Sequence, residues 1–463
     1  MSWLSAARDW FMARNAALRY AIAAVAGIGV IVLAAFLWLI AGPGPTDFAR
    51  GSVVALSAYN AADPTGVPAE LRSASLIERG EYLTRAADCT ACHSTPNGPP
   101  YAGGLAINTP FGTLYSPNIT PDRQTGIGDY SDADFLKVIH RGIAPGGRYL
   151  YPAMPYDSYT YMSDADALAI KAYLFSLAPV HAVIPNDTLA FPFNQRWLMA
   201  IWQTLFNADT RFQPNTAQSA EWNRGAYLSE AMAHCGDCHT PRNLMEALDN
   251  RSKFSGATAA GWRAYNITAD DGTGVGAWTD QSLVSYLAAG HADGHGTASG
   301  TMGEAVDHSF SFLTKDDIRA LVVYLRSVPA IASPDLPSVL AGLAPESPEQ
   351  GVPVGFNPRG KMVFEGACAS CHAWTGVSLL TPMATLTGAR AVNDPSAVNV
   401  VQIVLSGTRR KTASGQAVMP AFGSVYSDAE IAAVANYVTA RFGSEGSKIT
   451  AEDVARLRVQ ASR

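Results

Sequence analysis

Six cysteines occur in this 463-residue chain, and all six fall into one repeated arrangement: Cys89-Thr-Ala-Cys92-His93, Cys235-Gly-Asp-Cys238-His239 and Cys368-Ala-Ser-Cys371-His372. Two thiols three residues apart share one helical turn, and a histidine follows at once. Such a group can serve as a zinc site, a dithiol redox pair, a disulfide, or the attachment point of a haem. In the last case both thiols form thioethers with the haem vinyl groups and the histidine faces the iron. Three copies with no cysteine to spare, on a chain whose N-terminal segment exports it, single out covalent haem. Cys89, Cys92, Cys235, Cys238, Cys368 and Cys371 are then the attachment residues, with His93, His239 and His372 as proximal ligands.

A low-spin haem needs a second axial ligand, and each copy is followed by one methionine in a Pro- or Gly-rich stretch. These are Met154 in Tyr151-Pro-Ala-Met154-Pro155, Met302 in Ser299-Gly-Thr-Met302-Gly303, and Met419 in Val418-Met419-Pro420, lying 65, 67 and 51 residues after the first cysteine. A thioether stabilises ferrous iron and raises the reduction potential, which suits a carrier taking electrons from a donor. His291 and His295 lie in the same loop as the middle methionine and are rival ligands. Gly142, Gly290 and Gly407 each precede the methionine by 12 residues, and this equal spacing predicts equal backbone paths, favouring Met302. His140, His181, His234 and His308 are assigned no role.

The elements that must position these groups are also repeated. Arg79-Gly80-Glu-Tyr82-Leu83, Arg224-Gly225-Ala-Tyr227-Leu228 and Arg359-Gly360 precede the three cysteine pairs, so the same short helix leads into each. Asn118-Ile119-Thr120 with Thr125-Gly126-Ile127-Gly128 recurs 148 positions later as Asn266-Ile267-Thr268 with Thr273-Gly274-Val275-Gly276. Every unit closes with a helix capped by Ser163, Thr314 or Ser427, with acidic residues in its first turn and a tyrosine ten residues after the cap: Tyr173, Tyr324 and Tyr437. Helix caps and 3.6-residue patterns recur while sustained alternation is absent, so the fold class is all-α.

Between the units lie an aromatic linker, 183–217, with Phe191, Phe193, Trp197, Leu198, Ile201, Trp202, Leu205 and Phe206, and a Pro-rich linker, 331–355. Residues 444–463 form a polar tail with a capped helix from Thr450. At the other end, Ala21 to Ala41 is uncharged and long enough to cross a bilayer. Arg8, Arg14 and Arg19 against Asp9 keep the N-terminus in the cytoplasm and export the rest. The apolar run exceeds a signal-peptide core, and Leu39-Ile-Ala41 makes a poor cleavage site, so a retained single-pass anchor is expected within residues 1–45. Thirty-three Lys and Arg against 39 Asp and Glu give a net charge of -6, which offers no broad basic surface for nucleic acid.

The Asn-Ile-Thr-Pro-Asp run at Asn118 to Asp122, the Pro-Ala-Met-Pro-Tyr loop at Pro152 to Tyr156 and the aromatic linker give the chain a resemblance. Nearly everything after the anchor resembles the triple-haem cytochrome c subunit of membrane-bound dehydrogenases of acetic acid bacteria and their relatives, which oxidise alcohols, aldehydes, gluconate, sorbitol or fructose. The resemblance implies three class I cytochrome c domains in tandem, at 70–182, 218–330 and 356–443, with axial pairs His93 and Met154, His239 and Met302, His372 and Met419. It implies three haems c, a large dehydrogenase partner of molybdopterin, PQQ or flavin type with or without a small subunit, and ubiquinone as acceptor. It also implies no substrate chemistry on this chain and a place on the periplasmic side of the bacterial inner membrane. Several relatives are expected to grip the membrane through amphipathic segments; the N-terminal span departs from that and tilts the expected partner toward the aldehyde-oxidising, molybdopterin branch. Two other readings, a multi-haem peroxidase and a cytochrome subunit of a terminal oxidase, are less favoured. The first needs an open iron position, which three methionine loops oppose, and the second rests on fold analogy alone.

Overall fold

Ser75, Ser219 and Asn357 each accept a hydrogen bond from a backbone N–H two or three residues ahead, and each thereby starts a lead helix. These helices span Leu76–Ala86, Ala220–Tyr227 and Pro358–Val363. Ser163, Thr314 and Ser427 do the same for the closing helices Asp164–Ser176, Lys315–Arg326 and Asp428–Phe442. In the computed structural model, which describes residues 10, 15–48, 63–339, 357–412 and 415–461, the lead and closing helices of each repeat cross in contact. A glycine sits at every crossing. A Cβ at Gly80, Gly225 or Gly360 would lie 1.9, 1.9 or 2.2 Å from the carbonyl oxygen of Ala169, Ala320 or Ala433, so no larger residue fits. The repeated tyrosines Tyr173, Tyr324 and Tyr437 pack over these crossings.

The first two repeats share one core. Tyr82, Leu83, Phe135 and Ile170 of the first pack with Tyr227, Leu228, Leu283 and Leu321 of the second. A reciprocal polar lock closes the seam between them. Tyr82 donates to Asp317 at 2.6 Å, and Tyr227 donates to Asp166 at 2.6 Å. Arg79 pairs with Asp166 at 2.8 Å, and Arg224 grips Asp317 through two nitrogens at 2.8 and 2.6 Å. Arg224, fully buried, also donates to the carbonyls of Pro64 and Gly66. The third repeat has its own core of Phe364, Val401, Ile431 and Tyr437.

The expected all-α class needs a correction: the molecule is helix-rich, but the described residues also form five two-stranded antiparallel sheets. They pair Ala106–Thr109 with Gly112–Tyr115, Ile143–Ala144 with Arg148–Tyr149, Ala257–Ala259 with Trp262–Ala264, His291–Ala292 with Gly296–Thr297, and Thr408–Thr412 with Gly415–Met419. Strands of two to five residues are too short to show alternation in sequence.

The anchor helix runs from Ala16 to Ala41, starting five residues before the predicted segment because Asn15 caps it. Ala16–Trp38 is apolar enough to cross a membrane and none of it is buried in the protein. Arg8, Asp9 and Arg14 lie outside the described residues. The far end of the helix meets the second repeat: Arg251 donates to the Trp38 carbonyl and covers its ring at 4.9 Å, and Phe48 packs on Tyr324.

The aromatic linker turns back over the first repeat, pairing Thr188 and Ala190 with Thr113 and Phe111, and then forms the helix Leu198–Phe206. One face of that helix is inward, with Trp202 against Tyr156, and the other leaves Trp197 and Ile201 exposed. Of the Pro-rich linker, residues 331–339 lie along the second repeat, where Ile331 accepts from Asn266, and 340–355 are outside the described residues. The tail is no free appendage. Its helix, Ala451–Ala461, buries Val454 in the third core, and Arg458 reaches Asp428, Gly423 and Tyr426.

Candidate haem-binding sites

Each Cys-x-x-Cys-His group occupies one helical turn: Cys89–His93, Gly236–His239 with Cys235 as its cap, and Ala369–His372 with Cys368 as its cap. Asp88 and His234, the residues before the first two groups, both adopt left-handed backbone conformations, which breaks the lead helix and redirects the chain into the motif. Burial pushes up the thiols of Cys89, to about 12, and Cys368, to about 11, so these two stay protonated near neutrality. Among the described residues no cluster of three or more His, Cys, Asp or Glu is arranged to hold a metal ion.

The three histidines share one feature that the sequence did not reveal. His93 Nδ1 lies 2.8 Å from the carbonyl oxygen of Pro117, His239 Nδ1 lies 2.6 Å from that of Tyr265, and His372 Nδ1 lies 2.6 Å from that of Ala384. A carbonyl can only accept, so Nδ1 carries the proton and Nε2 keeps its lone pair for a metal. Burial holds all three imidazoles below the usual histidine range, opposed in part by the carbonyl bond, so the neutral form needed for iron ligation prevails.

The repeated Asn-Ile-Thr run is what presents the first two carbonyls. Asn118 donates to Thr125 and to the Val180 carbonyl while accepting from the Thr120 amide. Asn266 makes the matching bonds to Thr273, Ile331 and Thr268. Each asparagine therefore fixes the residue before it, Pro117 or Tyr265, against its histidine. The third repeat has no such run and takes its carbonyl 12 residues after His372, from a short turn, Pro382–Ala384. The recurrence was visible in sequence; its role was not.

The methionines are less alike than their spacing predicts. Gly142 and Gly290 end helices in the left-handed conformation, and each is followed by a tight hairpin and then the methionine. Gly407 has an extended ψ instead and opens a longer hairpin whose last residue is Met419. Equal spacing thus gives matching paths in the first two repeats and a different one in the third. The surroundings differ too. Pro152 and Pro155 hold Met154 in a turn, Met302 lies in the first turn of the helix Gly300–His308, and Met419 ends a strand. Met154 and Met302 both pack on the core shared by the first two repeats.

The rival ligands of the middle site have other partners. His291 uses both ring nitrogens, Nδ1 with Thr297 Oγ1 at 2.8 Å and Nε2 with Asp293 at 3.0 Å. His295 stacks on Trp278, ring centres 3.9 Å apart and nearly parallel. His140 is buried beside Asp164, His181 lies near Asp122, and His234 packs edge-on against Tyr159. The sites also sit unequally about the molecule. The second repeat touches both others, with His234 against Tyr159 of the first and Tyr265 donating to Asp394 of the third.

Comparison with known proteins agrees with these groupings. A family model described as cytochrome c matches residues 77–178, and one described as cytochrome c oxidase, cbb3-type, subunit III matches residues 357–438. The chain is 39% identical over 401 residues to the gluconate 2-dehydrogenase cytochrome c subunit of Pantoea cypripedii, covering 83% of this chain and 90% of that one. It is 37% identical over 401 residues to the fructose dehydrogenase cytochrome subunit of Gluconobacter japonicus, covering 82% of each. It is 34% identical over 399 residues to the cytochrome c subunit of the quinone alcohol dehydrogenase of Gluconobacter oxydans, covering 83% of this chain and 82% of that one.

Proposed function

The chain belongs to the family of cytochrome c subunits of bacterial dehydrogenase complexes, and from that premise we propose that it carries electrons on three covalent haems c. The observation that carries this is the threefold recurrence of two thiols on one turn beside a histidine whose Nδ1 is committed to a backbone carbonyl. Haem c, when bound, supplies reversible one-electron chemistry. The chain's own residues attach it through Cys89 and Cys92, Cys235 and Cys238, Cys368 and Cys371. They ligate the iron through His93 with Met154, His239 with Met302, and His372 with Met419.

Three class I cytochrome c domains, 70–182, 218–330 and 356–443, hold the sites in a row with the second at the centre. The apolar helix Ala16–Trp38 tethers them to the inner membrane, with the haem domains in the periplasm. Electrons enter from a large dehydrogenase subunit of molybdopterin, PQQ or flavin type and leave to ubiquinone in the adjacent bilayer. The match to an oxidase subunit covers only the third repeat, whereas the dehydrogenase cytochromes align over four fifths of the chain, so the dehydrogenase reading is the stronger.

Purified holoprotein, denatured, should keep its haem colour and exceed the polypeptide mass by three haems. A mass increment of one haem or none would overturn the reading. Purification from membranes should bring down a large dehydrogenase subunit with quinone reductase activity; a polytopic haem-copper core in its place would establish the oxidase alternative.

A further inference from the structure

The methionine loops of the first two repeats are braced from outside the repeat or by a separate element. In the first repeat the aromatic linker does this: Gln203 donates to the Gly142 carbonyl at 3.2 Å, and Trp202 stands edge-on to Tyr156, two residues past Met154. Among the described residues no linker segment reaches the corresponding place in the second repeat. Arg410, from the hairpin Thr408–Thr412 and Gly415–Met419 of the third repeat, takes the place instead. Its Nη1 donates to the carbonyl of Gly303, the residue after Met302, at 2.9 Å, and to Asp307 at 3.0 Å. The Arg410 side chain is 6% exposed.

Two glycines make room for it. A Cβ at Gly303 would lie 2.4 Å from Arg410 Nη2, and one at Gly290 would lie 3.2 Å from Nη1. The same pair of positions in the first repeat is filled by Pro155 and by Gly142, whose added Cβ would strike the Tyr156 ring at 2.3 Å. The third repeat also reaches the proximal side of the middle site. Tyr265, whose carbonyl receives His239, donates its hydroxyl to Asp394, which is fully buried and also pairs with Arg263.

From this geometry we infer that Arg410 is a positioning residue for the middle haem, holding the Met302 loop in ligating position from across the repeat boundary; the inference rests on Met302 being the ligand. The hairpin that carries Arg410 also ends in Met419, with Arg410 opposite Ala417 and Thr408 opposite Met419. One two-stranded element therefore braces the distal ligand of the middle site and supplies that of the third. A buried cation beside the middle site also disfavours the ferric state, whose charge is higher, and so acts in the same direction as thioether ligation.

The test uses the full holoprotein, read by potentiometric titration and by the sulfur-to-iron charge-transfer band. Arg410→Met should lower one of the three potentials, remove one haem's share of the band and leave the other two potentials unchanged. Wild-type potentials and band in Arg410→Met would overturn the inference. A lowered potential with the band intact would also overturn it, because a cation acting through space alone leaves the iron-sulfur bond in place. Met302→Ala is the control: if it leaves the band untouched, the ligand assignment fails; if it removes the share that Arg410→Met retains, only the positioning role fails. Should Arg410→Met cost the third haem, as mass would show, Asp307→Ala leaves the hairpin whole and frees the guanidinium on its far side. One haem's share of the sulfur-to-iron band should then weaken, whatever the lost carboxylate charge does to the potential, and an unchanged band there would overturn the inference.

Discussion

The first two repeats are joined as one body and the third stands on its own core, although all three share the same helix crossing. Two positions account for the difference. Two residues after the crossing glycine stand Tyr82, Tyr227 and Met362; three residues after the closing cap stand Asp166, Asp317 and Glu430. In the first pair each tyrosine reaches the other repeat's buried aspartate. In the third, Glu430 turns back to its own cap Ser427 and to Arg359, and Met362 is exposed. A local fold can be copied intact while its capacity to associate resides in a pair of side chains.

The largest test of this contrast is removal of the acidic partner. Asp317→Ala takes the two-point carboxylate partner from the buried Arg224 and the acceptor from Tyr82, and should cost about 3–5 kcal/mol. Glu430→Ala breaks a solvent-screened pair with Arg359 and should cost much less than Asp317→Ala. Chemical denaturation followed at the haems measures both, and equal losses would break the comparison. Next come the tyrosines. Tyr82→Phe and Tyr227→Phe each delete a hydrogen bond to a buried carboxylate and should cost about 1.5–3 kcal/mol apiece. Met362→Leu at the matching position should stay within about 0.5 kcal/mol. Similar values for the two tyrosines would sharpen the picture of a reciprocal lock.

The last test is one of pH. Burial depresses His140 and His234, both in the joined pair, to about 4. Their unfolded value lies near 6.5, so the unfolded chain binds more protons between those limits, and stability is complete above about 6.5 and declines as the pH falls toward 4. Hydrogen bonds from Ser427, with help from Arg359, hold Glu430 down at about 2, and its contribution is lost only as pH falls below the usual carboxylate range. Hydrogen exchange at successively lower pH should loosen the first two repeats before the third. The reverse order would show that other groups govern acid stability.

Much of this was legible in the sequence. The caps Ser163, Thr314 and Ser427, the lead helices and the apolar anchor depend on local chemistry that one stretch of chain contains. The cysteine groups announce themselves by type and spacing. What stayed hidden was non-local. No property of Pro117, Tyr265 or Ala384 marks its carbonyl as a histidine partner, because every residue has one and only the folded path selects it. The Tyr-Asp lock joins residues 235 apart in one half and 61 apart in the other. Equal glycine-to-methionine spacing suggested equal paths, but Gly407 opens a five-residue hairpin where Gly142 and Gly290 open two-residue ones. Counting residues fixes contour length and leaves direction free.

The reciprocal lock has an implication for ancestry and mutation. Tyr82 with Asp317 and Tyr227 with Asp166 are the contacts that a two-fold symmetric dimer of a single repeat would make with itself. In such a dimer one substitution would be felt at both ends of the interface, whereas here, with the halves encoded separately, each bond can drift alone. The drift is already visible: Arg224 is sealed inside and also holds Pro64 and Gly66, while Arg79, its counterpart, remains one third exposed.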